Sequence, residues 1–364
     1  MRSFLGLVDV VMSKPSVLVL YNQPVLPRDH PDADSEHTVV GIASSLSQTL
    51  AAAGYRVTEL PLGADPLVLW NEFKIRRPDV VFNLYEGQLD NAESETHVAG
   101  LLEWAGIPYT GSPPPALSLA RAKHTTKYLL HGAGLPTADF LVVDRLPMPE
   151  CTLTFPVIVK PAKQDASVGL DHDSVCTNSS QLAQRVEYIL TTYGAPVLVE
   201  QYIAGREIHL PLVELPELHA LAPWEITLPE ERSGNWSILT YASKWSPDSP
   251  DYEATPPKFP VDLPAPMLRT LGDLAVKAYR LLGCRDYARV DFRLNPGGKP
   301  FILEVNPNPE ISEDGGLRGS LSSANLSRDD LIVRLVEQAL SRKHVAKPTF
   351  APVRPKPPAS AHTI

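Results

Sequence analysis

The chain of 364 residues is 43% hydrophobic and 21% charged, which is enough apolar sequence to bury a large core divided among two or three domains. Its net charge of -9 and pI near 5.6, with no basic stripe interleaved with aromatic residues, argue against nucleic acid as a partner, so any phosphate binding must be local. The three cysteines, Cys151, Cys176 and Cys284, are widely separated and lack metal-ligand spacing, so we expect no disulfide framework and a cytoplasmic, reducing location.

The first residues, from Met1 to Leu7, resemble the start of a signal peptide. Asp9 and Lys14 interrupt the apolar run, however, and no small-residue cleavage site follows, so we expect a disordered or helical extension instead. No other apolar stretch approaches the roughly 20 residues that cross a bilayer, which argues against a membrane partner.

Strands and helices alternate along the next part of the chain. Buried strands are predicted over 16–21, 55–60 and 79–84, and helices over 39–53 and 96–105. The helices have the apolar spacing of a 3.6-residue turn and stop at Gly54 and Gly106. This alternation predicts a parallel α/β domain of about a hundred residues, to which we assign residues 1–115.

The following segments predict two further units. A helix is expected over 116–132, and strands over 140–143, 155–161 and 197–203. The second of these strands ends at Lys160 and the third contains Glu200. We assign residues 116–195 to a central subdomain, 196–343 to a C-terminal subdomain and 344–364 to a disordered, proline-rich tail.

The most informative segment is a predicted β-hairpin that runs from Tyr287 to Asn306 and turns at Asn-Pro-Gly-Gly. Alternation puts three charged residues on one face of the first strand: Arg289, Asp291 and Arg293. On the return strand, Ile302, Glu304 and Asn306 are predicted to share a face. Folding at the turn then places Asp291 opposite Glu304.

Asp291, Glu304 and Asn306 would form an oxygen-only cluster, which suits the hard cation magnesium with waters and substrate phosphates completing its shell. The alternative is that these are solvated charges on the outer face of an antiparallel hairpin. Asn306 favours the metal, because it points the same way as Glu304 and adds a third oxygen at the rim of the sheet.

Upstream residues offer partners for a nucleotide. Lys160 ends a buried strand and precedes a small, polar loop over 163–169 whose backbone N–H groups could cradle phosphates. Glu200 and Glu207 could accept from an adenine amino group or a ribose hydroxyl. Taken singly, these residues are better explained as a surface lysine and solvated carboxylates, and neither a Walker A pattern nor a GxGxxG fingerprint is present.

The order of these residues resembles the ATP-grasp superfamily and, within it, the D-alanyl-D-alanine ligases. The resemblance runs from about residue 106 to residue 306 and includes Gly-Ile-Pro-Tyr-Thr-Gly-Ser at 106–112, Gly-Ala-Gly-Leu-Pro at 132–136, Pro-Val-Ile-Val-Lys-Pro at 156–161 and Ser-Val-Gly at 167–169. It implies an ATP-grasp fold, in which a parallel α/β N-terminal domain is followed by central and C-terminal α+β domains that clasp ATP.

The resemblance also implies a role for each matching residue. Phosphate contacts would come from Lys123, Lys160 and the loop containing Ser167, and Lys244 would reach the transferred phosphate from a mobile loop. The adenine and ribose pocket would be lined by Glu200, Gln201, Ile203 and Glu207. Asp291, Glu304 and Asn306 would hold two Mg²⁺ ions, for which Mn²⁺ is a possible substitute, and Arg289 would stabilise an oxyanion.

The activity implied is peptide-bond formation between two amino acids. The γ-phosphoryl group of ATP would move to a carboxylate, and an amine would attack the resulting acyl phosphate with loss of phosphate. Residues 228–255 would form a lid that protects this intermediate from water. The implied partners are amino acids or peptides, and the implied assembly is a homodimer.

Departures from the family concern the amino-acid half of the site. Glu36 could bind the ammonium of the first substrate, but Ala166 stands at the family's serine and Trp245 at its tyrosine. After Asn306 the chain reads Pro-Asn-Pro-Glu-Ile-Ser, in which Glu310 would repel a carboxylate. The alternatives to a D-alanine ligase are therefore a ligase for other amino acids or peptides, a nucleotide-binding protein without turnover and, less favoured, a small-molecule kinase.

Overall fold

The computed structural model describes residues 14–25, 33–88, 91–164, 167–231, 235–246, 248–311 and 316–342, without the side chains of residues 33–36. The predicted N-terminal extension up to residue 13 and the predicted tail lie outside the described residues. In the described ranges, no helix is long and apolar enough to cross a membrane.

The N-terminal unit is the predicted parallel sheet, in the order β2-β1-β3. Its strands are β1 (Ser16–Asn22), β2 (Arg56–Leu62) and β3 (Val80–Leu84), and its helices are α1 (Ala33–Ala52), α2 (Pro66–Ile75) and α3 (Ser94–Ala105). The sequence analysis missed α2, in which only Leu69 and Phe73 are buried. This helix begins at a proline, and the Asp65 carboxylate caps it by accepting from the Leu67 N–H at 2.9 Å.

The predicted helix over 116–132 is two helices, α4 (Pro114–Arg121) and α5 (Lys123–Gly132). They are separated at Ala122, whose ψ of 76° is not helical. The Lys123 N–H donates to the Ala162 carbonyl at 2.9 Å. The break therefore fixes Lys123 beside the strand that contains Lys160.

The central unit is a four-stranded antiparallel sheet in the order β4-β7-β5-β6. Its strands are β4 (Phe140–Val143), β5 (Val157–Pro161), β6 (Val175–Cys176) and β7 (Val197–Gln201). Helix α6 (Ser179–Tyr193) covers one face of this sheet, where Val186 and Ile189 pack against strand valines. The other face is left for the site.

The C-terminal unit is a six-stranded sheet in the order β11-β10-β8-β12-β13, with β9 paired to β8. The strands are β8 (Arg206–Glu214), β9 (Leu218–Ala220), β10 (Trp224–Ile226), β11 (Pro257–Lys258), β12 (Tyr287–Leu294) and β13 (Pro300–Asn306). The helices are α7 (Tyr241–Trp245), α8 (Pro250–Glu253), α9 (Ala265–Leu282), α10 (Leu317–Ser323) and α11 (Arg328–Ser341). Helix α9 packs on one face of this sheet, and α11 packs with α1 on the N-terminal sheet.

The β12–β13 hairpin confirms the predicted register at its centre, because Asp291 pairs with Glu304. The prediction that Ile302 shares a face with Glu304 was wrong. A β-bulge between Asp291 and Phe292 makes Ile302, rather than Leu303, the partner of Phe292. Ile302 is fully buried in the core beside α9, so the bulge separates it from Glu304 on the site face.

Asp286, just before β12, joins the N-terminal unit to the C-terminal helix. It has a left-handed φ of 68° and is 0% exposed. Its carboxylate accepts from the Gly111 N–H at 2.8 Å and forms two hydrogen bonds with the Arg342 guanidinium, at 2.6 and 2.9 Å. This ion pair fixes the start of the strand that contains Arg289 and Asp291.

Candidate active site

A cleft between the central and C-terminal sheets brings together every residue that the sequence analysis assigned to the nucleotide. They are Lys123, Lys160, Ser167, Glu200, Gln201, Ile203, Glu207 and Lys244. Two of the three expected metal ligands, Asp291 and Glu304, line the same cleft, together with apolar side chains such as Ile158 and Leu303. The cleft is therefore lined by both charged and apolar side chains, as a site for a base bonded to phosphates must be.

Glu200, on β7, is paired with two lysines. The residue is 2% exposed, one carboxylate oxygen lies 2.5 Å from Lys127 Nζ and the other forms an ion pair with Lys160. Burial raises the pKa of Glu200, but the two ammonium groups outweigh burial and lower this pKa to about 2. Glu200 is neither a solvated carboxylate nor an acceptor with two open oxygens.

The sequence analysis missed Lys127, although the signal was present. It lies four residues after Lys123 in α5, so both lysines lie on one helix face. Lys127 is 1% exposed, and burial lowers the pKa of its ammonium group while Glu200 acts against this lowering. The spacing of Lys127 from Lys123 is visible in the sequence. The burial of Lys127 beside Glu200 becomes apparent only from the fold.

The pH dependence of stability tests the Glu200 ion pairs. Because the pKa of Glu200 is lowered to about 2, its contribution to stability is present above the ordinary value near 4.5 and is lost as the pH falls toward 2. Glu200→Gln should lower the free energy of unfolding by about 3 kcal/mol at pH 6. Urea unfolding at pH 6, 5, 4 and 3 should show this difference shrinking below pH 4.5; a constant difference would contradict the ion pairing.

Glu207 and Arg293 form a second buried ion pair, across β8 and β12. The two residues are register partners, and Arg293 Nη2 lies 3.1 Å from Glu207 Oε2. His209 Nε2 lies 3.1 Å from Glu207 Oε1. Burial raises the pKa of Glu207, but Arg293 and His209 outweigh it and lower this pKa to about 2. The sequence analysis gave neither Arg293 nor His209 a role in the site, because strand pairing across 82 or more residues is not visible in the sequence.

Arg289 and Asp291 are held together by two hydrogen bonds. Arg289 Nε and Nη2 donate to the Asp291 carboxylate at 2.6 and 2.8 Å. Burial alone would raise the pKa of Asp291, and Arg289 lowers it below the usual range; in return, Asp291 raises the pKa of Arg289. The guanidinium also lies 6.0 Å from the centre of the Trp224 ring, an aromatic neighbour that the sequence analysis did not identify.

The three expected metal ligands lie on the paired strands β12 and β13. Asp291 and Glu304 are cross-strand partners, and the Glu304 side chain is 36% exposed, with Lys123 Nζ at 3.9 Å. Asn306 is the partner of Arg289 in the hairpin, and its Oδ1 accepts from the Asn308 N–H at 2.9 Å. Asn306 and Arg289 lie beside the cleft rather than among its lining residues.

Across the described ranges, no three His, Cys, Asp or Glu side chains are arranged to hold a metal ion by themselves. Two carboxylates and a neighbouring amide nevertheless fit Mg²⁺, which keeps several waters and relies on substrate phosphates, rather than a metal held wholly by protein. The donor chemistry of Asp291, Glu304 and Asn306 is therefore compatible with the expected ion.

The described parts of the segment 228–255 pack against residues that line the cleft. The Tyr202 ring lies 5.2 Å from the Trp236 ring, and the Tyr241 N–H donates to the Leu170 carbonyl at 2.9 Å. Lys244, in α7 of this segment, reaches the cleft. The position of the segment agrees with the expected lid.

The structure gives a partial view of the amino-acid half of the site. Glu36 lies in α1, but its side chain is outside the described part of the chain, as are Ala166 and Ser312. Beyond Asn306, the Asn308 Oδ1 accepts from the Tyr287 hydroxyl at 2.8 Å.

The family model and the relatives with known names indicate the same family. Residues 129–337 match a family model described as "D-ala D-ala ligase C-terminus". The D-alanine--D-alanine ligase of Syntrophotalea carbinolica is 33% identical over 300 residues, covering 82% of this chain and 90% of the relative. The corresponding ligase of Gloeobacter violaceus is 30% identical, with 85% and 97% covered.

Solved structures share the fold. The D-alanine--D-alanine ligase from Bacillus anthracis complexed with ATP superposes with a TM-score of 0.69 at 20% identity, covering 91% of this chain and 99% of that one. The ligase from Coxiella burnetii gives a TM-score of 0.66 at 18% identity. The predicted ATP-grasp architecture is confirmed.

Proposed function

This chain belongs to the D-alanine--D-alanine ligase family of ATP-grasp enzymes, and on that premise we propose that it is an ATP- and Mg²⁺-dependent ligase that joins two amino acids through an acyl phosphate. One observation carries the proposal. A single cleft contains three lysines, Lys123, Lys160 and Lys244, together with the paired carboxylates Asp291 and Glu304. The lysines supply positive charge for a polyphosphate, and the carboxylates supply a place for its counter-cation.

Phosphoryl transfer requires little covalent help from the protein, so positioning and charge neutralisation carry most of the catalysis. Lys160, on β5, and Lys123, at the start of α5, would bind the ATP phosphates, while Lys244 would approach the transferred group from the covering segment. Asp291, Glu304 and Asn306 would hold Mg²⁺, which neutralises phosphate charge when bound. A carboxylate oxygen of the first substrate attacks the γ-phosphorus, and ADP leaves.

The second step is attack of an amine on the acyl phosphate carbonyl, followed by loss of inorganic phosphate. Arg289 would stabilise the negative charge that develops on the carbonyl oxygen. Its bonds to Asp291 use only two of the five guanidinium N–H donors, and they hold the guanidinium in a fixed orientation. The covering segment would exclude water from the acyl phosphate.

Arg289→Ala should reduce ligation more than nucleotide binding, because the proposed role of Arg289 comes after ATP has bound. We expect kcat for product formation to fall by about 100-fold, with the Kd for Mg-ATP changed by less than about fivefold. Product formation and ATP binding should be measured on the same preparation. Equal loss of both would contradict the oxyanion role.

The substrates are the open part of the proposal. Two departures from the family support the alternative, a substrate pair other than two D-alanines. They are Trp245 in place of the family's tyrosine and the segment from Pro307 to Glu310 after the hairpin. ADP release with Mg²⁺ and ATP, screened over pairs of D- and L-amino acids, tests the proposal. A D-alanine signal would indicate cell-wall precursor synthesis, and another pair would identify a different ligase. ATP binding with no ADP release for any pair would favour a non-amino-acid substrate or a binding protein without turnover.

A further inference from the structure

Lys127 is buried, and its ammonium group forms two hydrogen bonds and one ion pair. The ammonium group lies 2.5 Å from Glu200 Oε1, 2.7 Å from Thr137 Oγ1 and 3.2 Å from the Ile302 carbonyl oxygen. An ammonium group has three N–H donors, and here three acceptors surround it. Lys127 does not line the cleft, so it is placed to act through its neighbours.

Those neighbours belong to both sides of the cleft. Glu200, on the central sheet, uses its second carboxylate oxygen to pair with Lys160, which lines the cleft. Ile302, on the C-terminal sheet, comes just before the bulge that precedes Glu304. Thr137 Oγ1 also donates to the Ile302 carbonyl, at 2.8 Å. Lys127 therefore connects the lysine expected to bind phosphate to the hairpin expected to bind the metal.

The charges decide what this connection does. Two ammonium groups share one carboxylate, so the group of Lys127, Glu200 and Lys160 has a net charge of +1. If Lys127 were removed, Glu200 and Lys160 would form a neutral pair, and both carboxylate oxygens would compete with phosphate for the Lys160 ammonium. In a buried setting this competition is strong, because charge pairs are poorly screened.

We propose that Lys127 is a positioning residue for nucleotide binding: it occupies half of the Glu200 carboxylate and so leaves the Lys160 ammonium available to the phosphates of ATP. The inference rests on the proposed function, since it takes the cleft to be the ATP site. A lysine that merely filled space would be replaceable by methionine at little cost to ATP binding.

The test compares Lys127→Met with the double variant Lys127→Met and Glu200→Gln, by calorimetric titration with Mg-ATP and no amino acid. Lys127→Met should weaken ATP binding by about 30-fold or more. The double variant should recover at least about tenfold of this loss, because a neutral amide no longer holds Lys160. Lys277→Met, at an exposed position of α9, should bind ATP like the wild type.

Wild-type affinity in Lys127→Met, or no recovery in the double variant, would overturn the inference. If Lys127→Met does not fold, the double variant decides alone, since the ammonium group that it leaves without Glu200 is that of Lys160, which lines the cleft. An affinity within about tenfold of wild type then supports the positioning role and a larger loss refutes it. Failure of the wild type to bind Mg-ATP would instead refute the proposed function, which keeps the two failures distinct.

Discussion

Glu304→Gln should abolish ADP formation while leaving the fold intact. The carboxylate is expected to hold the cation that neutralises the transferred phosphoryl group, and the neutral amide is a much poorer ligand for Mg²⁺. We expect kcat for ADP formation to fall by about a thousandfold. The side chain is 36% exposed, so the melting temperature should stay within a few degrees of the wild-type value. A coupled ADP assay and a thermal melt measure the two quantities.

Glu217→Gln is the matched control, because this carboxylate is exposed in the turn between β8 and β9, away from the cleft. It should keep wild-type activity and stability. Unchanged ADP production in Glu304→Gln would contradict the assignment of the metal site to the hairpin. Partial activity restored by Mn²⁺ but not by Mg²⁺ would support direct ligation, since Mn²⁺ has the higher affinity for a weakened N/O site.

Asp286→Asn should destabilise the fold about as much as Glu200→Gln. The Asp286 carboxylate is fully buried and satisfies both the Gly111 N–H and the Arg342 guanidinium, and removal of one member of a buried pair leaves the other uncompensated. We expect the free energy of unfolding to fall by about 3 kcal/mol. Asparagine has nearly the same size as aspartate and tolerates a left-handed φ. The loss of stability therefore reports removal of the charge rather than strain in the backbone.

Urea unfolding of Asp286→Asn should be compared with that of Asp273→Asn, in which the substituted carboxylate is exposed on α9. The control should stay within about 0.5 kcal/mol of the wild type. Equal stability of the two variants would show that the pair with Arg342 does not anchor the N-terminal unit to β12. A further expectation is that Asp286→Asn raises the concentration of Mg-ATP needed for activity, because Arg289 and Asp291 lie on β12, which begins directly after Asp286.

Local pattern was enough to predict the hairpin, because the turn residues and strand alternation act within the segment from Tyr287 to Asn306. It placed Asp291 opposite Glu304 correctly. It failed at the next pair, Phe292 with Ile302, because a bulge changes the alternation without leaving a glycine or proline as a signal. The same limit explains the break at Ala122, which depends on a hydrogen bond from Lys123 to Ala162, forty residues away in the chain.

The residue types in the site could be predicted from the sequence, but the ion pairs that they form could not. Glu200 and Glu207 read equally well as solvated charges, since a sequence does not show that Lys127 and Arg293 lie beside them. Burial of these carboxylates with their cations is what makes the cleft a charged, preorganised site. The pairing follows from the contact of α5 with β7 and from the pairing of β8 with β12, which are properties of the whole fold.

The proposed acyl phosphate predicts which product receives each carboxylate oxygen of the first substrate. The amino acid that supports ADP release should be supplied with both carboxylate oxygens labelled with ¹⁸O, together with unlabelled ATP and the amine substrate. Because one of those oxygens attacks the γ-phosphorus and departs with it, each inorganic phosphate released should contain one ¹⁸O atom, measured by mass spectrometry. Phosphate without the label, released alongside ADP and the condensed product, would contradict the proposed mechanism.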